Sequence, residues 1–303
     1  MVHLSPVLAA SILAFTSSAL AVPTVEWTHP ILKVPITPSD GFKTAAVKAA
    51  PAEIAYTEAD LASFHASSIP GAPLNATLSA RDEESLSARG IIGPDNRVLW
   101  TSTDYPYSAI GRVSLTGAVC SGSMVGRRLV ATAKHCQIPA GGSGRFAPSY
   151  YDGERLGGSN VVAVISMAQG SGSCNQKEDW AIFVLADPIG DQTGYLGAKV
   201  IDCDAQKNRA MFFHQGYPGD KGASRPYRQE AISVSRCADC EPGGPLETDA
   251  DAVPGQSGGP LWLFENGSRF VYGVASGTSS IGTGFASGAN FVNAIARARQ
   301  DFP

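Results

Sequence analysis

Gly255-Gln256-Ser257-Gly258-Gly259-Pro260 sets a serine among glycines, whose tolerance of positive φ allows a turn tight enough to project a hydroxyl from the backbone. In such a turn the N–H groups of Gly255 and Ser257 converge on one point, where they can hold a developing negative charge. The same residues satisfy the pattern G-x-S-x-G, whose serine sits on a strand-to-helix turn and is followed in the chain by an acid and then a histidine. The chain has five histidines, His3, His29, His65, His135 and His214, and all precede Ser257. Gly-Gly-Pro is also a poor helix start. The α/β-hydrolase order therefore cannot be built, and a base must be sought upstream.

Two histidines lie outside the N-terminal region, His135 and His214. His135 has the stronger context: it follows the β-type run Leu129-Val130-Ala131-Thr132-Ala133 and precedes Cys136, which can bridge to Cys120 and fix a rigid turn. A serine alkoxide needs such an imidazole, and the imidazole needs a carboxylate on its other nitrogen to hold the tautomer. Asp179 opens the apolar run Asp179-Trp180-Ala181-Ile182-Phe183-Val184-Leu185, which would bury it where an unpartnered carboxylate is costly. Glu178 would point to the opposite face and is read as solvated. Asp179 is thus the expected third member.

The wider composition narrows the class. A net charge of −4 with 17% charged residues gives no basic stripe of the nucleic-acid-binding kind. Residues 4–21 are apolar and rich in Ser and Ala, ending Ala19-Leu20-Ala21. They read as a secretory signal peptide (1–21), although no basic residue precedes the apolar region, and an uncleaved anchor is the alternative. No later run approaches a membrane span. Six cysteines, Cys120, Cys136, Cys174, Cys203, Cys237 and Cys240, follow residue 119, an even number that fits three bridges in an oxidising compartment. Two sequons fit the same route, at Asn75 and Asn266.

Residues 22–90 are rich in Ala, Ser, Pro and Glu, lack cysteine and hold only short helix-like patches such as 56–64. They read as a pro-segment or a linker rather than a second enzyme domain, and Arg89 reads either as a processing site or as an ordinary loop arginine. From residue 91 to 303, short β-prone runs alternate with Gly, Pro, Asn, Asp and Ser clusters: 109–115, 129–132, 161–167, 181–185, 210–213, 231–235, 260–264 and 270–275. Their number and spacing predict an all-β barrel or sandwich. Only 290–300 reads as helix, with Phe291, Val292 and Ile295 on one apolar face and Asn290 as its cap. No internal repeat is evident.

Cys120-Ser121-Gly122, Ala131-Thr132-Ala133-Lys134-His135-Cys136, Asp179-Trp180-Ala181-Ile182 and Gly255-Gln256-Ser257-Gly258-Gly259-Pro260, in this order, resemble the motifs of chymotrypsin-fold serine endopeptidases. Ile91-Ile92-Gly93-Pro94-Asp95-Asn96-Arg97, Tyr105-Pro106-Tyr107-Ser108-Ala109-Ile110 and Gly216-Tyr217-Pro218-Gly219-Asp220 are similar to the glutamyl-endopeptidase branch. The resemblance covers residues 91–303. It implies two six-stranded antiparallel β-barrels with a C-terminal helix. It implies His135 as base, Asp179 as its orienter, Ser257 as nucleophile and the Gly255 and Ser257 N–H groups as oxyanion hole. It also implies a Cys120–Cys136 bridge. The other four cysteines allow three pairings, of which Cys174 with Cys203 and Cys237 with Cys240 is favoured.

The chain departs from the pattern at three places. Gln256 stands where digestive members carry the aspartate that captures a new N-terminal ammonium, so activation by an Ile-Ile-Gly terminus is not assumed. Ala275 stands where glutamate-specific members carry a histidine, with Ser276 and Gly277 beside it in the substrate-binding strand. Asp251 has the spacing of the carboxylate that selects Arg or Lys, yet it sits in an acidic loop, Thr248-Asp249-Ala250-Asp251, without the family's bridge.

The resulting expectation is a secreted, monomeric serine endopeptidase acting on proteins or peptides without metal or organic cofactor, and without nucleic-acid or membrane partners. A catalytically silent binding protein on the same fold is the alternative, although silent members usually lose a triad residue and none is lost here. An esterase using the same serine is a third reading.

Overall fold

The computed structural model describes residues 27–28, 35–36, 50–74, 95–168, 175–241, 244–279 and 282–303. The signal region, Asn75, Arg89, Ile91-Ile92-Gly93 and Cys174 lie outside the described residues.

Six antiparallel strands close the first barrel. In hydrogen-bonded order they are Trp180–Leu185, Leu129–Ala133, Ala118–Met124, Ile110–Leu115, Gly144–Pro148 and Ser159–Met167, and the last pairs back with the first. Ser159–Met167 alternates buried and half-buried positions along its whole length, the period-2 signature of a strand with one face on a core. Trp180–Leu185 is buried at every position. One face fills the barrel with Phe183 and Leu185 beside Val113, Val130 and Phe146. The other packs Trp180 and Ile182 towards the C-terminal helix, with the Trp180 and Phe291 rings 6.0 Å apart.

The second sheet runs Val234–Glu241, Gly244–Thr248, Gly282–Ser287, Ser268–Ser279, Pro260–Glu265, Phe212–Gly216 and Tyr227–Ile232, with Val98–Leu99 at its edge. It encloses Phe212, Ile232, Leu246, Leu261 and Phe285. This half-barrel, the closed barrel and the C-terminal helix together give the expected all-β architecture. Ala231 takes a positive φ of 57°, and the Asp249 carboxylate accepts the N–H of Ser233. One long run is thereby bent into two strands, of which Tyr227–Ile232 pairs with Phe212–Gly216 and Val234–Glu241 with Gly244–Thr248. Asn266-Gly267 forms the turn before Ser268–Ser279 with φ of 50° and 79°, the left-handed pair that a two-residue hairpin loop requires. Asn266 is exposed at its tip.

The C-terminal helix spans Ala289–Asp301 and buries Phe291, Val292 and Ile295, as its periodicity predicts. Its N-cap is Gly288, which has no side chain to accept a hydrogen bond. Asn290 lies inside the helix and donates to Glu178 Oε1 at 2.9 Å. Glu178 is accordingly not solvated: it pairs with Lys177 Nζ at 3.1 Å and its side chain is only 16% exposed.

Cys120 and Cys136 are bonded, with Cα atoms 6.3 Å apart. The pairing expected for the remaining cysteines is overturned, because Cys203 is bonded to Cys237. Cys237 and Cys240 both lie in Val234–Glu241. Three residues of extended chain span about 10 Å, beyond the Cα separation a disulfide can bridge.

Candidate active site

Strand pairing brings the two ends of the polar site together. Trp180 is registered with Ala133, so Asp179 falls opposite Lys134 and His135, and Lys134 N–H donates to Asp179 O at 3.1 Å. The Asp179 carboxylate then meets three donors. Oδ1 accepts the backbone N–H of His135 at 2.9 Å; Oδ2 takes His135 Nδ1–H at 2.7 Å and the Ser276 hydroxyl at 2.5 Å. This leaves His135 Nε2 as the basic nitrogen. The hydrogen bond to Asp179 holds the imidazole pKa above the ordinary histidine value, against the opposing effect of partial burial. The ring remains 43% exposed, as a proton carrier must.

The Ser257 loop is fastened to the same wall. Ser257 O accepts the N–H of Ser121 at 2.8 Å and lies 3.8 Å from Cys136 Sγ. Ser121 also donates its hydroxyl to Gly255 O at 2.8 Å and accepts the N–H of Tyr217 at 2.9 Å. Gly258 has φ of 81°, and a Cβ there would lie 2.1 Å from Thr132 Oγ1, so only glycine lets the loop close on the strand that carries His135. Gly258 N–H and Gly259 O bond the O and N–H of Ala275 at 2.8 and 2.9 Å. Two backbone hydrogen bonds thus fasten the Ser257 loop to Ser268–Ser279.

The orientation of the Gly255 N–H follows from its peptide. Pro254 O accepts the N–H of Gly219 at 2.8 Å. In a trans peptide the C=O and N–H point in opposite directions, so the Gly255 N–H faces away from Gly219. Among the described residues, neither this N–H nor that of Ser257 has an acceptor. Two free donors beside a docked serine can receive an oxyanion.

Behind the loop, Gln256 is fully buried. Its Oε1 accepts from Arg97 Nη1 at 2.8 Å and from the Val253 N–H at 3.2 Å. The Arg97 side chain, 5% exposed, also pairs with Asp220 at 2.6 Å and Asp95 at 2.9 Å. The guanidinium beside Asp95 holds that carboxyl well below its usual range. Arg97 thus ties the nucleophile loop to the Gly219–Lys221 turn whose N–H fixes Pro254. A neutral amide meets a side-chain cation here.

The other expected site residues are dispersed. Asp251 Oδ2 accepts the backbone N–H of Asn96 at 3.1 Å, and its own N–H donates to Gln229. Ala275 is buried beneath the nucleophile loop. Ser276 is engaged by Asp179, a positioning role that spacing alone did not assign. Gly277 lines a cavity of about 140 Å³ with Thr278, Gln176, Glu247 and Thr283. The Glu247 carboxylate there faces Arg236 at 3.2 Å. His214 is set aside as a base: it is buried, its Nδ1–H donates to Pro260 O at 3.0 Å, and burial lowers its pKa to about 4.

Sequence reasoning did not assign Ser121, Thr132 or Arg97. Ser121 follows the bridged Cys120, and Arg97 stands two residues after Asp95. Neither signal says which distant loop the side chain will hold.

The comparisons agree with this geometry. A Glutamyl endopeptidase of Bacillus licheniformis is 32% identical over 184 residues, covering 58% of this chain and 55% of that protein. The chain therefore spans about half the length of that relative. A solved Glu endopeptidase, in complex with MPD, superposes with a TM-score of 0.58 at 22% identity over 69% of this chain and 99% of that one, which establishes the shared chymotrypsin-like fold. The Trypsin family profile matches residues 100–296, well over half the sequence and every residue of the His135, Asp179 and Ser257 constellation, and the chain belongs to the trypsin family.

Proposed function

We propose that the chain is a secreted serine endopeptidase that hydrolyses peptide bonds through an acyl-enzyme. The observation that carries this reading is the Asp179 carboxylate, which holds both the ring and the backbone of His135 and so directs Nε2 as base. In this reading Ser257 Oγ attacks the substrate carbonyl as His135 Nε2 takes its proton. The N–H groups of Gly255 and Ser257 receive the oxyanion. Imidazolium then protonates the leaving amine, and water resolves the acyl-enzyme by the same base. The Ser276 hydroxyl adds a third hydrogen bond to Asp179, helping fix the carboxylate in place against the His135 ring.

The assignment of residues 1–21 as signal peptide, 22–90 as pro-segment and 91–303 as peptidase domain belongs to the same proposal. Secretion is supported by the disulfides. Ala275 carries no charge and the Asp251 carboxylate is engaged by the Asn96 N–H, so the proposal assigns neither strict Glu nor Arg/Lys preference. Digestion of a denatured protein mixture, read by mass spectrometry, gives that preference directly.

Ser257→Ala tests the core of the reading. The variant should lose all peptide hydrolysis and all labelling by an organophosphorus reagent while keeping the wild-type near-UV circular dichroism. Retained turnover in a folded Ser257→Ala protein would falsify the assignment.

A further inference from the structure

We propose that residues 51–73, upstream of the family-matched residues, are a permanent clasp of the folded enzyme and remain bound after any cleavage between residues 75 and 93. The segment's composition reads as a disposable leader. Its alternating apolar residues do something else: Ile54, Tyr56 and Leu61 are buried in the same core as Trp180, Ile182, Val271, Phe291 and Ile295.

Ala52–Tyr56 adds a parallel strand to the end of Ser159–Met167, in register from Ala163 with Ala52 to Met167 with Tyr56. Parallel pairing at a barrel strand's free edge covers N–H and C=O groups that would otherwise be open. Thr57 then caps a short turn of helix, Glu58–Leu61, by exchanging hydrogen bonds with Asp60. Tyr56 Oη donates to Asp301 at 2.8 Å, and the Ala66 N–H donates to Asn293 Oδ1 at 3.1 Å. Both acceptors lie on the C-terminal helix.

The segment next crosses to the second half of the molecule. Ser68–Ile69 pairs antiparallel with Gly197–Lys199, which itself pairs with Ser268–Ser279 of the half-barrel. Ala72 and Tyr195 exchange backbone hydrogen bonds at 3.0 and 2.8 Å. The two backbones approach so closely that a Cβ on Gly71 would lie 2.5 Å from Gly197 N, and one on Gly197 would lie 2.5 Å from Ile69 O. Glycine on both partners marks a fitted joint. Arg299 completes it: its guanidinium donates to carbonyls of Val125, Leu196 and Pro70, one from each body being joined.

A clasp differs from an inhibitor in what it leaves open. Among the described residues, no hydrogen bond or ion pair runs from residues 50–74 to His135, Asp179, Ser257 or Ser276. Its contacts are with the barrel edge, the connecting strand and the C-terminal helix.

The test uses the full chain with a site for a sequence-specific protease placed between residues 78 and 84. After cleavage, both pieces should co-elute in native size-exclusion chromatography and separate only in denaturant. Organophosphorus labelling of Ser257 should be the same before and after cleavage. Gly71→Val and Ile54→Asp, made in the same chain, should release the N-terminal piece on cleavage and lower Tm by on the order of 10 °C. A freely eluting N-terminal piece from the unsubstituted chain, with an unchanged Tm for the remainder, would overturn the clasp. Labelling that appears only after the piece is stripped away would also overturn it, in favour of a blocking role. Co-elution is read without any turnover, so its failure is distinct from a failure of the peptidase reading.

Discussion

Arg97→Ala is the perturbation that asks most of the site, because Arg97 touches neither the triad nor the substrate strand. Removing the guanidinium leaves the buried Gln256 Oε1 with only the Val253 N–H at 3.2 Å. Asp95 and Asp220, 38% and 44% exposed, regain water and cost little. The stability loss is therefore that of one under-satisfied buried acceptor plus a charge-assisted hydrogen bond, about 2 kcal/mol. The catalytic loss is separate. Arg97 holds Gln256 on one side and the Asp220 turn on the other, and the Gly219 N–H of that turn sets the Pro254–Gly255 peptide. If that peptide is released, one oxyanion donor is lost, and kcat should fall by roughly 10²–10³ with KM little changed. Steady-state kinetics on a chromogenic peptide reads this directly. A peptide boronate, which forms a tetrahedral adduct on Ser257, should weaken in parallel, whereas a ground-state peptide inhibitor should not. Arg97→Lys should recover part of the rate, and added guanidinium should partly rescue Arg97→Ala. A folded Arg97→Ala enzyme with kcat within about twofold of wild type would show that the loop holds itself and would refute the reasoning.

Two further outcomes are expected. Because the Asp179 hydrogen bond raises the His135 pKa and catalysis needs neutral imidazole, kcat/KM should rise with pH through a midpoint above 6.5; Asp179→Asn should lower kcat by on the order of 10⁴ and move that midpoint down. Peptide mapping under non-reducing conditions should recover Cys203 joined to Cys237, and the Cys203→Ser, Cys237→Ser double variant should lose about 3–4 kcal/mol for a closed loop of this length.

The barrel was legible because its strands carry their own signals. Ser159–Met167 alternates and Trp180–Leu185 is apolar throughout, and each lay within two residues of its expected bounds. Ala118–Met124 and Gly144–Pro148 were missed: Ser, Gly and Pro interrupt them, and only the neighbouring strands make them β. His135, Asp179 and Ser257 stood out because their chemistry restricts the local sequence around each. Arg97, Ser121 and Ser276 act across the fold, where nothing local constrains them. The Ala52–Tyr56 strand failed for a related reason, since five residues of alternation mean little until a free barrel edge is there to receive them. The expected Cys237–Cys240 bridge fails because both residues lie in one extended strand, which separates them too far.

His214, set aside as a base, bears on how this protein responds to acid. Buried and neutral in the fold with a pKa of about 4, it titrates near 6.5 once unfolded. The unfolded chain therefore binds the extra proton first, so the His214 contribution to stability is complete above pH 6.5 and is lost as pH falls towards 4, about 3 kcal/mol in all. His135 loses its basicity over the upper part of the same descent. Acid thus acts on the molecule at two depths, first silencing the reaction reversibly and then loosening the half-barrel that presents the serine. Acid would therefore lower this protein's stability as well as its rate.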